Sequence, residues 1–213
     1  MHFDPAAPPG AAILFDGRDL RGFTARDGAP AAWAVEGGAM QVVAGAGDIV
    51  SLARFDDAQI HLEFQCPDMP HASGQAKGNS GVFLQGRYEI QVLDSHGIAV
   101  PGTGDCGAVY DQIAPLSNAC RPALAWQSFD IVFRAARRGR GGQGTEPARL
   151  TLIHNGVVIH NNVTLRGPTQ GATDEDVGAP GPLRLQDHGD PVRYRNIWLL
   201  RLASQGSDHY DPG

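Results

Sequence analysis

Apolar and polar residues alternate in this chain over short stretches, and turn-forming residues close each of them. In Ile60-His61-Leu62-Glu63-Phe64-Gln65 the apolar side chains fall on one face and the polar ones on the other. The same period of two runs through Tyr88-Glu89-Ile90-Gln91-Val92 and places Phe129, Ile131 and Phe133 on one face of Trp126 to Arg134. A period of two suits a strand with one buried face, whereas a helix needs 3.6. Arg149 to His154 and Val157 to Val163 flank Asn155-Gly156, the strongest short-range hairpin signal. Glycine (28) and proline (15) supply about one residue in five of the 213, while glutamate is present five times and lysine once. Two of the best surface helix formers are thus nearly missing, which excludes a mainly helical protein. A hydrophobic share of 42% and a net charge of −6 exclude a disordered or collagen-like chain.

Further short strands are expected at Ile13 to Phe15, Trp33 to Val35, Ala39 to Val43, Asp48 to Ser51, Gly81 to Leu84, Leu183 to Gln186 and Tyr194 to Leu202. Residues 66–78, 95–122, 135–148 and 164–182 carry turn signals and no period. The run 95–122 is long enough to suggest a functional loop. Ten to thirteen short antiparallel strands predict an all-β fold, a jelly-roll sandwich of two antiparallel sheets. The expected division is a lead-in at 1–12, one domain at 13–202 and a tail at 203–213.

Mild acidity gives no reason to expect nucleic acid or an anionic membrane as partner. No run of 18 apolar residues is present, so no spanning helix is expected. The first twelve residues lack a signal-peptide pattern; the expectation is a cytoplasmic chain, or a periplasmic or secreted one had a leader been removed. Cys66, Cys106 and Cys120 form no CxxC and read as free, semi-buried thiols, with a Cys106–Cys120 bridge as the oxidised alternative.

Glu63, Glu89 and Gln91 stand on the polar face of strongly patterned strands, and two of the five glutamates are among them. Such residues are either the wet side of a sheet or the equipment of a sugar site, where paired carboxylates act as acid and base. Gln186-Asp187-His188-Gly189-Asp190 ends a strand in a turn; His188 is either a general base or metal ligand, or a turn residue bonded to backbone. Trp126 is either core or a platform for a sugar ring. The eight histidines include no HExxH, so zinc is unsupported, while loop carboxylates leave room for a calcium ion. No other cofactor is indicated.

Five ordered segments carry a resemblance. They are Leu14-Phe15-Asp16-Gly17-Arg18-Asp19-Leu20, Trp33-Ala34-Val35-Glu36-Gly37-Gly38, Asn79 to Leu84 with Tyr88 to Ser95, Gly107-Ala108-Val109-Tyr110 with Ala114-Pro115, and Gly181 to Gly189 with Val192 to Ile197. Together they resemble the 3-keto-disaccharide hydrolase domain family over about residues 13–202. The resemblance implies a concanavalin-like sandwich, akin to lectins and family-16 glycosidases, and a small carbohydrate substrate oxidised to a ketone at C3. It makes Glu89 and His188 the expected catalytic residues. Asn79, Gln91, Arg193, Glu63, Tyr110, Trp126 and Gln186 are the expected substrate-binding residues. Two other readings stand beside it: a non-catalytic sugar-binding module and a family-16-type hydrolase. Against the latter, Glu89-Ile90-Gln91-Val92-Leu93-Asp94 lacks that family's ExDxxE acid pair.

Overall fold

The computed structural model describes residues 6–138 and 145–203. Two antiparallel sheets face each other across one core. The larger sheet is built from β1 (Ala12–Phe15), β3 (Ala34–Glu36), β4 (Ala39–Gln41), β6 (Ala58–Gln65), β9 (Gln127–Arg134), β12 (Arg149–His154), β13 (Val157–Thr164) and β15 (Arg193–Arg201). Its order is β13-β12-β9-β6-β15-β4-β3, with β1 added on β15. The smaller sheet holds β2 (Phe23–Ala25), β5 (Ile49–Phe55), β7 (Ser80–Leu84), β8 (Tyr88–Val92) and β14 (Gly181–Leu185), in the order β2-β5-β14-β7-β8. A two-stranded ribbon, β10 (Arg137–Arg138) with β11 (Thr145–Glu146), forms the base of a tip within the aperiodic run 135–148. The rest of that tip, residues 139–144, lies outside the described residues, as do 1–5 of the lead-in and 204–213 of the tail.

The alternation in the sequence is the alternation of the sheets. Ile60, Leu62 and Phe64 of β6 and Phe129, Ile131 and Phe133 of β9 are fully buried. They meet Val82, Leu84, Tyr88, Ile90 and Val92 from the smaller sheet in one cluster. Phe133 takes Phe55 edge-on at 6.1 Å and Tyr88 at 5.6 Å, which ties the two sheets together. Each such side chain contributes about 1.5–3 kcal/mol by leaving water. Asn155 and Gly156 both adopt positive φ (52° and 84°), the geometry that lets a two-residue turn join β12 to β13. Among the described residues no helix is long and apolar enough to cross a membrane.

β8 is the last strand of its sheet, and its outer edge is covered. Gln91 exchanges backbone hydrogen bonds with the 95–122 segment: its N–H donates to Ala108 O (2.9 Å), and Gly107 N–H donates to its carbonyl (2.8 Å). Tyr110 N–H reaches Glu89 O (3.1 Å), and the Glu89 N–H donates to the Thr169 hydroxyl (2.9 Å). The long irregular segment is therefore a strap that blunts an exposed edge. It also delivers side chains to the outer face of β8. All three cysteines are free; Cys66 and Cys106 are buried and Cys120 is half-buried.

Candidate active site

The outer face of the smaller sheet carries a cavity of about 240 Å³ lined by Gln75, Asn79, Glu89, Gln91, Tyr110, Gln170, Gly171, Gln186 and His188. That is slightly below the roughly 300–1,000 Å³ of drug-sized sites and suits a small sugar. Glu89 and Gln91 reach it because β8 sends Tyr88, Ile90 and Val92 into the core. Asn79 arrives just before β7, Gln186 just after β14, and Tyr110 on the strap.

Glu89 is 4% exposed, and among the described residues no hydrogen bond reaches its carboxyl group. Burial is the main cause that pushes its pKa up, the Arg184 charge opposes it, Asp48 adds to it, and the result is about 8. The carboxyl group lies diagonally across β7 over Gly81. A Cβ at Gly81 would stand 2.3 Å from Glu89 Oε1 and 3.0 Å from the Phe83 ring. The missing side chain is what makes room for the acid. On the same face, across the paired strands, Arg184 is held flat, its guanidinium 3.5 Å from the Phe83 ring centre and donating to Gly171 O at 2.8 Å.

Beside Glu89 lies a carboxamide network. Gln91 Nε2 donates to Asn79 Oδ1 (3.1 Å) and to Gln75 Oε1 (3.3 Å). Asn79 Nδ2 donates to Gln75 O at 2.7 Å. Gln75 Nε2 donates to Gly104 O (2.7 Å), which fixes the 3₁₀ turn Gly74–Ala76 against the strap. The turn after β14 is pinned as well: Asp190 accepts the Asn79 N–H (2.7 Å), and Asp187 accepts the N–H groups of Gly47 (2.9 Å) and Gly189 (3.0 Å). Both aspartates thus hold the loop, and His188 is left exposed at the cavity rim.

Glu63, Arg193 and Trp126 lie elsewhere, on the outer face of the larger sheet. Alternation put Glu63 on an outer face but did not say which sheet it joins, so Glu63 and Glu89 do not converge as an acid pair. Arg195 lies 4.1 Å over Trp126 and pairs with Glu63 through Nε (2.7 Å) and Nη2 (2.6 Å). Arg193 donates to Glu36 O at 3.0 Å. Burial alone would push the Glu63 carboxyl up, but His61 3.9 Å away and hydrogen bonds from Asn196 and Arg195 overcome it and hold the pKa at about 2. A depressed carboxylate contributes stability above its unfolded pKa of 4.5, and that contribution is lost as pH falls toward 2. Glu63→Gln is therefore expected to lower stability at pH 7 by about 2–3 kcal/mol. Thermal unfolding of both proteins should show this difference shrinking below pH 4.

The cavity residues that alternation and motifs left unnamed are Gln75, Gln170 and Gly171. All three sit in aperiodic loops, and the only sequence signal for them was the length of those loops.

No curated protein matches the chain. A solved structure of a candidate glycosyl hydrolase from Parabacteroides distasonis ATCC 8503 is 38% identical, with a TM-score of 0.84 over 92% of this chain and 85% of that one. A second such protein from the same organism is 20% identical, with a TM-score of 0.64 over 91% of this chain and 94% of its own. The exoplasmic/lumenal domain of VIP36, solved with Ca²⁺ and Man3GlcNAc, shares the sandwich alone, at 9% identity and a TM-score of 0.50 over 92% and 90% of the two chains. The family description of the 3-keto-alpha-glucoside-1,2-lyase-like domain matches residues 10–200, and the chain belongs to that family.

Proposed function

We propose that this protein is a carbohydrate-active enzyme that cleaves the glycosidic bond of 3-keto-glycosides, with Glu89 as the base. The observation that carries the reading is Glu89 itself: a buried carboxyl group without a hydrogen-bond partner among the described residues, in a cavity otherwise lined by hydroxyl-binding groups. Among the described residues lining that cavity it is the one carboxylic acid. Ordinary glycoside hydrolysis uses two carboxylates flanking the bond. Elimination from a 3-keto sugar needs one base, because the ketone acidifies the neighbouring C2 proton.

The Glu89 carboxylate takes the C2 proton, and the C–H electron pair moves into the ketone to give an enolate. The Tyr110 hydroxyl, a cavity donor outside the carboxamide network, stabilises the developing oxyanion, while Gln91, whose N–H groups are held by Asn79 and Gln75, keeps that network in place. The enolate then collapses: the C3 ketone reforms, a C1–C2 double bond forms and the C1–O bond to the aglycone breaks. His188, exposed at the rim, gives the departing oxygen a proton. Water adding across the double bond puts a hydroxyl on C1 and a proton on C2, for net hydrolysis. Asn79, Gln75 and Gln186 bind the ring hydroxyls.

The test is incubation with a 3-keto-disaccharide and with its unoxidised parent, following release of free sugar. Cleavage of the keto form alone supports the reading. Binding of either sugar without cleavage would make the cavity that of a sugar-binding module instead. His188→Ala is expected to slow cleavage most for aglycones that leave as poor anions, and a series of aglycones of graded acidity checks it.

A further inference from the structure

On the far side of the strap from the cavity, Cys106, Cys120 and His154 bring one ligand atom each to within 4.8 Å of one another. Cys106 and His154 are buried, at 2% and 0% exposure, and Cys120 is half-buried, which gives the cluster an entrance. The hydrogen bonds around His154 fix its tautomer. Gln127 Oε1 accepts the backbone N–H of Arg121 at 3.0 Å, so this atom is the amide oxygen. It also stands 2.9 Å from His154 Nε2. An oxygen that has no hydrogen can only accept, so Nε2 carries the proton and Nδ1 keeps a bare lone pair.

That Nδ1 is buried and has no hydrogen-bond partner among the described residues. It faces the strap, 3.9 Å from where a Cβ on Gly107 would stand. Leaving such an acceptor unmade costs about 1–3 kcal/mol. A disulfide between Cys106 and Cys120 would consume both sulfurs and still leave Nδ1 unpaired. A metal ion uses all three groups.

We propose that Cys106, Cys120 and His154 form a binding site for a thiophilic divalent metal ion of the zinc class, separate from the sugar cavity. Two sulfurs and one imidazole are the donors such ions prefer. The bond from His154 Nε2–H to the Gln127 carbonyl is the outer contact that orients a ligating histidine. Around one ion with bonds of about 2.0–2.3 Å the ligand atoms would sit roughly 3.5–3.8 Å apart, so a contraction of about 1 Å completes the site. Burial is the main cause of the low pKa of His154, about 3, which keeps it in the neutral, ligating form. Burial and the neighbouring thiol push the Cys106 thiol up, so this sulfur stays protonated until the ion arrives. Binding then releases two protons, one from each thiol. The fourth position is open to water on the Cys120 side. The ion would clip both ends of the strap's middle section to β12, and that section carries Tyr110 into the cavity.

The experiment uses the full chain kept reduced. Co²⁺ is added as the spectroscopic probe, followed by Zn²⁺. The expected result is one Co²⁺ per chain, with the near-ultraviolet absorption of thiolate-to-cobalt charge transfer, displaced by Zn²⁺. Zn²⁺ should also raise the thermal midpoint. Cys120→Ser, chosen because Cys120 is half-exposed and can be replaced without opening the core, is expected to weaken Zn²⁺ binding at least about 100-fold and to leave at most the Cys106 share, about half, of the charge-transfer band. Reduced wild-type protein that takes up Co²⁺ without that band, or takes up none, overturns the proposal. So does a Cys120→Ser protein that binds as tightly as wild type.

Discussion

Glu89→Gln is expected to abolish cleavage and, at the same time, to make the protein more stable as the pH rises. The first effect follows from the proton: a carboxamide cannot accept it, and a positioned base contributes about 10²–10⁴-fold. The second follows from burial. Glu89 carries a raised pKa of about 8 against 4.5 for the exposed group, so between those values the folded protein holds a proton that the unfolded chain has lost. Stability from this group is full below pH 4.5 and falls as pH rises through about 8, by roughly 1.4 kcal/mol per pH unit. Glutamine does not titrate. The variant should therefore gain on wild type with that slope from about pH 5 to 8, read by denaturant unfolding at several pH values. In His188→Ala, which takes the rim proton donor out of the profile, kcat/KM should rise with pH through about 8 and then level, because only the ionised acid is a base. A rate that falls over the same range would make Glu89 a proton donor. Parallel stability curves for the two proteins would mean that the acid is not buried as described.

The second large effect is expected from one methyl group. Gly81→Ala puts a Cβ 2.3 Å from Glu89 Oε1, a distance no real contact allows, and a tight 3.1 Å from its Cδ. The backbone of β7 is paired to β8 on one side and β14 on the other, so the acid must move rather than the strand. Displacing a reacting group by about 1 Å costs on the order of 100-fold in rate, and overpacking costs about 1–3 kcal/mol of stability. The other tight contact is the 3.0 Å one to the Phe83 ring edge, so most of the effect should pass through Glu89. Gly81→Ala added to Glu89→Ala should then cost little, and a double-mutant cycle should give a coupling of about 0.5–3 kcal/mol. Full activity in Gly81→Ala would place the working carboxyl group elsewhere.

The sandwich was legible because period-two alternation reports burial directly: Leu62, Phe64, Phe129 and Ile131 lie in the core, and Asn155-Gly156 turns the chain between β12 and β13. The same alternation put Glu89 and Gln91 on an outer face, the turn after Gln186 brought in His188, and the resemblance brought in Asn79. It could not assign sheets. β6 and β8 have the same pattern but sit on opposite sides of the core, so Glu63 and Arg193 joined a structural network with Trp126 and Arg195. Gln75 and Gln170 were hidden because loop positions follow from tertiary hydrogen bonds, such as Gln75 to Gly104, that leave no period. The closeness of Cys106, Cys120 and His154 was equally silent, since the strap must first lie on β12 for them to meet.

The central claim is that the bond breaks by loss of the C2 proton to Glu89. Cleavage of a 3-keto-disaccharide in D₂O, with the released 3-keto sugar followed by mass spectrometry and proton NMR, tests it most directly. The account predicts that the original C2 hydrogen is gone from every cleaved molecule, replaced by deuterium where water has added back, and that Glu89→Gln neither exchanges nor cleaves. A product that keeps its C2 hydrogen while gaining solvent oxygen at C1 would contradict it, because the bond would then have broken by direct displacement.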